Sequence, residues 1–195
     1  MNEKLKTILI DNKTSKVWFL RNYLSRTEQI ELMNHCKNDL PYIQHEIKLL
    51  GKKLKQPRLS CNLGRDYTYS GATQKSSPIT DKIELLMDRV NKDLSTNFNQ
   101  CLVNRYRNGS DYISNHSDNE SALSNGIVAG ISLGEVRTMV MKNKKDSKSS
   151  KKFELPTGSI FVMEKDTQKN WTHGIPKQKS KLNERISLTF REFKE

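Results

Sequence analysis

The stretch near the C-terminus that decides the expected fold reads Arg185-Ile186-Ser187-Leu188-Thr189-Phe190-Arg191. In an extended strand, successive side chains point to opposite faces. The apolar members therefore share one face: Ile186, Leu188 and Phe190. The polar members share the other face: Arg185, Ser187, Thr189 and Arg191. This pattern predicts a strand with one face on a core, and with the other face either lining a barrel interior or, in an edge strand, turned to solvent.

Similar short extended stretches recur through the second half of the chain. We predict strands at residues 102–107, 127–133, 136–141, 159–163 and 185–193. Turn signals separate them, among them Asn108-Gly109 and Pro156-Thr157-Gly158. Many short strands at regular spacing favour a sandwich or a double-sheet barrel.

The first half of the chain differs, because it contains two predicted helices. Ser25 and Glu28 have the spacing of a capping box, which begins the first helix. The second is predicted to begin near Ser77-Pro78, with a single apolar stripe: Ile79, Ile83, Leu86, Val90 and Leu94. Residues 46–71, between the helices, are predicted to form hairpins. The expected fold class is mainly β with flanking helices (α+β).

Length and charge limit the organisation and the partners. A chain of 195 residues is long enough for one well-packed domain, which we divide into an N-terminal part, 1–97, and a core, 98–195. The net charge of +12 favours a polyanionic partner, although a generally lysine-rich proteome would give the same balance. No apolar stretch is long enough to span a bilayer, so nucleic acid is favoured over a membrane. We expect a monomer.

The cysteines and the N-terminus indicate the compartment. The chain has three widely spaced cysteines, which favours small apolar residues over a disulfide framework or a zinc knuckle. The first residues contain too short an apolar run for a signal peptide. We therefore expect an intracellular protein, without distinguishing nucleus from cytoplasm.

A low-complexity segment, residues 142–152, contains six lysines and is predicted to be a solvated loop. Two hypotheses remain open for it: contacts to nucleic-acid phosphates, or a solvated hairpin tip without a partner.

The residues with metal-binding chemistry are His116, Asp118 and His173. Residues i and i+2 of an extended chain share a face, so His116 and Asp118 point the same way. Two imidazoles and one carboxylate on one side of a metal form the facial triad of non-haem Fe(II) oxygenases, which leaves the opposite positions open. This spacing alone is also compatible with hydrogen-bonded histidines or a hydrolytic zinc site.

Two inward-facing arginines on the 185–191 strand need a counter-charge, because buried unpaired charge is costly. A dicarboxylate supplies one, since a guanidinium binds a carboxylate through two parallel hydrogen bonds. Asn104 and Tyr106 share one face of their predicted strand, and both can hydrogen-bond to such a ligand. For each strand, the alternative is an ordinary polar face.

Several of these segments together resemble the AlkB family of Fe(II)- and 2-oxoglutarate-dependent dioxygenases. The matching segments, in order, are Gln56-Pro57-Arg58, Tyr67 to Gly71, Asn104-Arg105-Tyr106, Asn108-Gly109, His116 to Glu120, Ile131 to Gly134, Gly158-Ser159, Met163, Trp171-Thr172-His173 and Arg185 to Arg191. Several motifs in one consistent order are more specific than any single one. Two departures are Asn119, where the family often has Asp, and Ser187, where Asn is usual.

The resemblance implies a double-stranded β-helix (jelly-roll) core behind an N-terminal nucleotide-recognition lid of helices and hairpins. It implies Fe(II) held by His116, Asp118 and His173. The implied 2-oxoglutarate ligands are Asn104, Tyr106, Arg185, Thr189 and Arg191. The residues implied to line the base pocket are Arg58, Tyr67, Tyr69 and Glu120. Leu49 and Leu50 occupy the place of an apolar finger that fills the gap left by a flipped base.

The implied activity is oxidative demethylation of 1-methyladenine and 3-methylcytosine in DNA or RNA, with release of succinate, carbon dioxide and formaldehyde. Three alternatives stay open. The same oxygenase chemistry can act on RNA or on a protein side chain, a basic module can bind nucleic acid without catalysis, or the site can be a zinc hydrolase. The hydrolase alternative gives no reason for two inward-facing arginines.

Overall fold

A computed structural model describes residues 6–49, 52–69, 72–118, 123–124, 126–146, 148–178 and 182–194. For residues 47–49, 52, 67–69 and 72–74 only the backbone is described.

The described chain contains three helices, α1 Arg26–Asn38, α2 Asp81–Leu94 and α3 Thr167–Asn170. The first strands are β1 Thr7–Asp11, β2 Ser15–Leu20, β3 Glu46–Leu49, β4 Lys52–Lys55, β5 Leu59–Leu63, β6 Tyr67–Tyr69 and β7 Ala72–Gln74. The later strands are β8 Gln100–Tyr106, β9 Ile113–His116, β10 Val128–Gly134, β11 Arg137–Asn143, β12 Ser150–Leu155, β13 Ile160–Lys165, β14 Trp171–Ile175 and β15 Arg185–Arg191.

Two antiparallel sheets form the body of the molecule. The large sheet has the order β1-β2-β13-β10-β15-β8-β5, and the small sheet has the order β12-β11-β14-β9. Strands from before residue 97 take part in the large sheet, because β1 and β2 extend one edge and β5 pairs with β8 at the other. The predicted jelly-roll core, mainly β with flanking helices, is confirmed.

Apolar side chains on the two faces of the large sheet belong to separate clusters. One face packs against α1 and α2, through residues such as Leu32, Ile83 and Val90. The other face packs toward the small sheet, where Phe161 of β13 meets Met141 of β11 and Ile175 of β14. Helices α1 and α2 therefore cover one side of the large sheet, and the small sheet covers the other.

Strand β15 lies in the middle of the large sheet, between β10 and β8. Its apolar residues belong to the cluster under the helices: Ile186, Leu188 and Phe190. Its polar residues line a cavity on the side of the small sheet: Arg185, Ser187, Thr189 and Arg191. The alternation expected from the sequence is therefore present, and the polar face points into the molecule.

The N-terminal elements agree in part with the predictions. The capping box is confirmed, since Ser25 accepts from the Glu28 amide and the Glu28 side chain accepts from the Ser25 amide. The second helix begins later than predicted, at Asp81, because the N-cap Thr80 has extended backbone dihedrals. Two of the predicted hairpins are present, β3–β4 and β6–β7.

The lysine-rich segment 142–152 is wrongly predicted as a loop throughout. Lys142 and Asn143 end β11, and Ser150 to Lys152 begin β12, so only the residues between them connect the two strands. The hydrogen-bonded register, which pairs Lys142 with Ser150, extends the hairpin into the low-complexity sequence. Within the described residues, no helix is long and apolar enough to cross a membrane.

Candidate active site

A cavity lies between the two sheets, and both sheets supply its lining. The large sheet contributes the polar face of β15 and, from β8 and β10, Asn104, Tyr106, Gly130 and Ser132. The small sheet contributes His116, Met139, His173 and Ile175. The cavity therefore brings together the predicted metal ligands and the predicted dicarboxylate ligands, which lie far apart in sequence.

The two histidines meet because β9 and β14 are paired strands. His116 lies directly opposite His173, and their ring centroids are 4.5 Å apart. The register shifts between His173 and Ile175, and the chain approaches β9 closely there. A Cβ atom on Gly174 would lie 2.8 Å from the carbonyl oxygen of Ile113, so a larger residue would push the strands apart.

Asp118 completes a group of three ligands. Its Oδ1 lies 3.8 Å from Nε2 of His116, and its Oδ2 lies 3.7 Å from Nε2 of His173. The three ligand atoms all lie within 4.8 Å of one another. Nδ1 of His116 lies 2.9 Å from the carbonyl oxygen of Ser114, and donation there leaves the Nε2 lone pair for a metal.

Burial and charge keep His173 and Asp118 in the protonation states that bind a metal. Burial, together with His116, lowers the pKa of His173 to about 3, so its imidazole is neutral at physiological pH. Burial alone would raise the pKa of Asp118, but the charge of Arg191 and the two histidines outweigh it and hold that pKa well below its usual value. A neutral imidazole and an ionised carboxylate are the forms that bind a cation.

Arg191 contacts Asp118, one of the predicted metal ligands. Its Nη2 donates to Oδ1 of Asp118 at 2.8 Å, and both side chains are almost fully buried. The sequence predicts 2-oxoglutarate as the partner of this arginine, and the contact with Asp118 is an additional one. Arg191 therefore lies beside the carboxylate of the triad, at the metal end of β15.

Arg185, at the other end of β15, is only 2% exposed. Its Nη2 donates to the Ser132 hydroxyl at 2.9 Å, and its guanidinium carbon lies 5.3 Å from the centre of the Tyr106 ring. Its Nε and Nη1 are buried, and within the described residues they have no hydrogen-bond partner. A buried guanidinium with two unsatisfied donors is costly unless a ligand accepts from it.

The remaining cavity residues predicted from the sequence lie between or beside these groups. Asn104 Oδ1 accepts from Nε of Arg58 at 2.8 Å, so the predicted base-pocket arginine is joined to a predicted co-substrate ligand. Tyr106, Ser187 and Thr189 line the same cavity. A substrate and a co-substrate would therefore share one space.

The other predicted substrate residues are only partly described. Tyr67 and Tyr69 lie on β6, and Leu49 ends β3, with the backbone alone described at all three. Glu120, Leu50 and Asn119 lie outside the described residues. Their predicted roles remain predictions.

Sequence reasoning missed two buried polar residues that support the site. Gln168 of α3 accepts from the backbone N–H of Asp118 at 3.0 Å. Arg137, which is fully buried, donates to the carbonyl oxygens of Asn108, Asp111 and Pro176. The alternation of β11 places Arg137 on the same face as Met139, which lines the cavity, and that was the one available signal for it.

The sequence profile of the 2OG-Fe(II) oxygenase superfamily matches residues 16–191, which contain every strand of both sheets except β1 and the first residue of β2. The chain belongs to this superfamily. Within it, the relatives place the chain in the AlkB family.

Two curated relatives illustrate the similarity. DNA oxidative demethylase ALKBH2 of Bos taurus is 30% identical over 181 residues, which cover 85% of this chain and 65% of the relative. Alpha-ketoglutarate-dependent dioxygenase alkB homolog 3 of Homo sapiens is 30% identical over 188 residues, which cover 91% of this chain and 66% of the relative. The chain thus spans slightly less than two thirds of the length of these relatives.

A solved structure, that of OsALKBH1, has the same fold. It superposes with a TM-score of 0.67 at 16% sequence identity, and the match covers 95% of this chain and 100% of that one.

The residues present fit the metal and the co-substrate for which the superfamily is named. Two imidazole nitrogens and one carboxylate oxygen, close to one another, form the donor set that is typical of non-haem Fe(II). Nε and Nη1 of Arg185, which have no partner within the described residues, need anionic acceptors, and a carboxylate of 2-oxoglutarate supplies them.

Proposed function

We propose that this AlkB-family chain demethylates N-alkylated bases in nucleic acid by oxidation, with 1-methyladenine and 3-methylcytosine in DNA or RNA as substrates. One observation carries the proposal: a single cavity joins the His116, Asp118 and His173 triad to a buried Arg185 that has two donors free among the described residues. The names of the relatives, DNA oxidative demethylase and alpha-ketoglutarate-dependent dioxygenase, support the same activity.

The reaction consumes one molecule each of the methylated base, dioxygen and 2-oxoglutarate. It yields the unmethylated base, formaldehyde, succinate and carbon dioxide. When bound, Fe(II) and 2-oxoglutarate supply the oxidising power for the methyl C–H bond. The protein's own contribution is to bind and orient: the triad holds the metal, and Arg185 fixes the distal carboxylate of the co-substrate.

A base must leave the helical stack to reach a cavity between two sheets. Unstacking costs a few kcal/mol, and the cost is lowest for a base whose pairing is already blocked by a methyl group. Arg58 lines the cavity, and this position supports a role for Arg58 in binding the base. Its Nε donates to Asn104, which fixes the side chain there. We assign stacking on the flipped base to Tyr67 or Tyr69 of β6, which would contribute about 1–3 kcal/mol.

The β3–β4 hairpin suits the role of an apolar finger. Leu49 ends β3 and Lys52 begins β4, and Leu50 lies outside the described residues. We propose that Leu49 and Leu50 fill the space of the flipped base in a duplex. The Leu50→Ala variant would then lose activity on duplex substrate and keep it on single strands. An equal loss on both substrates would contradict this role.

The test of the proposed function is release of succinate and formaldehyde. The full chain is incubated with Fe(II), ascorbate, 2-oxoglutarate and an oligonucleotide containing 1-methyladenine or 3-methylcytosine. We expect formaldehyde only with the methylated oligonucleotide, and none from the His116→Ala variant. Parallel DNA and RNA oligonucleotides determine which polymer is preferred.

Other results would redirect the assignment. Succinate without formaldehyde would keep the oxygenase and reject these bases as substrates. Neither product, from folded protein loaded with iron, would favour a basic module that binds nucleic acid without catalysis. Formaldehyde release that is independent of 2-oxoglutarate would contradict the co-substrate role of Arg185.

A further inference from the structure

Asp118 is a metal ligand that stands outside the regular hydrogen bonding of the sheets. Strand β9 ends at His116, two residues earlier, so no strand ladder fixes the backbone of Asp118. Its backbone N–H donates instead to the side-chain oxygen of Gln168, at 3.0 Å. The preceding residue is tied to the same region, because the Ser117 hydroxyl donates to the carbonyl oxygen of Trp171 at 2.9 Å.

Gln168 is itself firmly held. It lies in α3, is 4% exposed, and its Nε2 donates to Sδ of Met163 at 3.3 Å. Its backbone carbonyl accepts from Nζ of Lys144 at 2.8 Å. Since both ends of the amide are engaged, its oxygen is fixed toward Asp118.

The neighbouring Thr167 anchors α3 on the opposite side. It is fully buried, and its hydroxyl accepts from the Lys16 amide at 3.2 Å and lies within hydrogen-bonding distance of two carbonyl oxygens, that of Glu164 at 2.5 Å and that of Lys16 at 3.2 Å. Thr167 therefore holds α3 to β2, whereas Gln168 holds the metal-ligand segment to α3. The two residues allow general anchoring of α3 to be separated from positioning of Asp118.

We propose that Gln168 is a positioning residue that holds Asp118 in the geometry for metal binding. The carboxylate of Asp118 already accepts from Arg191 at 2.8 Å, so without a fixed backbone it is free to turn toward the arginine and away from the metal. Groups that orient metal ligands typically change metal affinity about 10–100-fold when they are removed. The inference rests on the proposed metal site and is independent of the substrate.

The test is a titration of the metal-free full chain with Mn(II), in which free Mn(II) is followed by electron paramagnetic resonance. Gln168→Met keeps the length of the side chain and removes the acceptor oxygen. We expect its Kd for Mn(II) to rise about 10-fold or more. Gln168→Glu keeps an acceptor oxygen at the same place, and Thr167→Val disturbs the α3 anchor alone. We expect both of these to bind within about 3-fold of the unchanged chain, or more tightly for Gln168→Glu because of its added charge.

Each outcome decides the proposal. It is overturned if Gln168→Met, at equal folded fraction by circular dichroism, binds Mn(II) as tightly as the unchanged chain. Equal weakening in Gln168→Met and Thr167→Val would also overturn it, because general loosening of α3 would then explain the loss. Weakening in Gln168→Glu as large as in Gln168→Met would show that the acceptor oxygen is irrelevant. Failure of the unchanged chain to bind Mn(II) would instead reject the metal site of the proposed function.

Discussion

Arg185 is the residue whose surroundings most directly call for a ligand. It is buried on β15, and its Nε and Nη1 have no acceptor within the described residues. Replacement by lysine keeps the charge and removes the planar pair of donors. We expect Arg185→Lys to raise the KM for 2-oxoglutarate at least about 10-fold, a loss of roughly 1.4 kcal/mol of binding. Succinate release at varied 2-oxoglutarate measures this value.

The neighbouring strand offers a matched control for that variant. Arg105 of β8 pairs across from Ile186, but its guanidinium contacts Glu184 and lies outside the cavity. Arg105→Lys is expected to leave the KM for 2-oxoglutarate unchanged. If the two variants gave the same KM, Arg185 would not hold the co-substrate.

The three cysteines give a second test at the scale of single residues. Burial raises the pKa of Cys36 to about 12 and that of Cys61 to about 11, and it raises the pKa of the fully buried Cys101 as well. Because the thiolate is the reactive form, none of the three is expected to react with Ellman's reagent in the folded protein. All three should react in denaturant. A thiol that reacts quickly under native conditions would show that this part of the core opens.

The sequence reveals ligands better than it reveals what holds them. His116 and Asp118 are readable because two positions along a strand share a face, and His173 is readable because histidines are rare in this chain. The contacts Arg191–Asp118 and Gln168–Asp118 join residues 73 and 50 positions apart. No local pattern encodes such contacts, since they form only when distant segments come together in the folded chain.

At the scale of elements, predictability follows the length of the periodic signal. Strand β15 shows full alternation over its length, and the structure confirms its two faces. Helix α3 has only four residues, too few for a helical period, and was not predicted. The end of β11 and the start of β12 were not predicted as strand, because a lysine-rich composition is typical of loops. Their backbones are nevertheless paired.

The β11–β12 hairpin leads to a prediction about nucleic-acid binding. Lys145, Lys148 and Lys151 are exposed on it, whereas Lys144 is engaged with Gln168. If the three exposed lysines bind phosphates, replacing all of them with glutamine leaves those phosphates without a protein cation. The slope of log K against log salt should then become shallower by about 0.7 for each phosphate of a single strand that the variant no longer neutralises. Fluorescence anisotropy with a labelled oligonucleotide at several salt concentrations measures this slope.

Exposed lysines elsewhere provide the control for charge alone. Lys82 and Lys92 lie on α2 and Lys13 precedes β2, all exposed, and α2 packs on the face of the large sheet that points away from the cavity. The triple glutamine variant at these positions has the same net charge as the hairpin variant. Equal slopes for the two variants would show that the effect comes from net charge alone. The hairpin would then be a solvated tip without contacts to phosphate.

For the whole molecule, the cavity is a source of instability when no metal is bound. The sheets bury an ionised Asp118, a neutral His173 and two arginines between apolar clusters. Burial of charged or polar groups lowers the stability of the folded chain where they lack partners. His173 is a buried group whose pKa differs strongly between the folded and the unfolded chain. In the folded chain its pKa falls to about 3, against an ordinary value of about 6.5 in the unfolded chain.

This difference gives the metal-free protein a defined pH dependence. Between about pH 3 and pH 6.5 the unfolded chain binds a proton at His173 that the folded chain does not, so acidification favours unfolding. We expect this residue to lower the free energy of unfolding by about 1.4 kcal/mol from pH 7.5 to pH 5.5. Urea unfolding of the chelator-treated protein at the two pH values, followed by circular dichroism, measures the change. The His173→Gln variant cannot take up this proton, so its loss of stability should be smaller by that amount, and an equal loss in both proteins would show that His173 is protonated in the folded state.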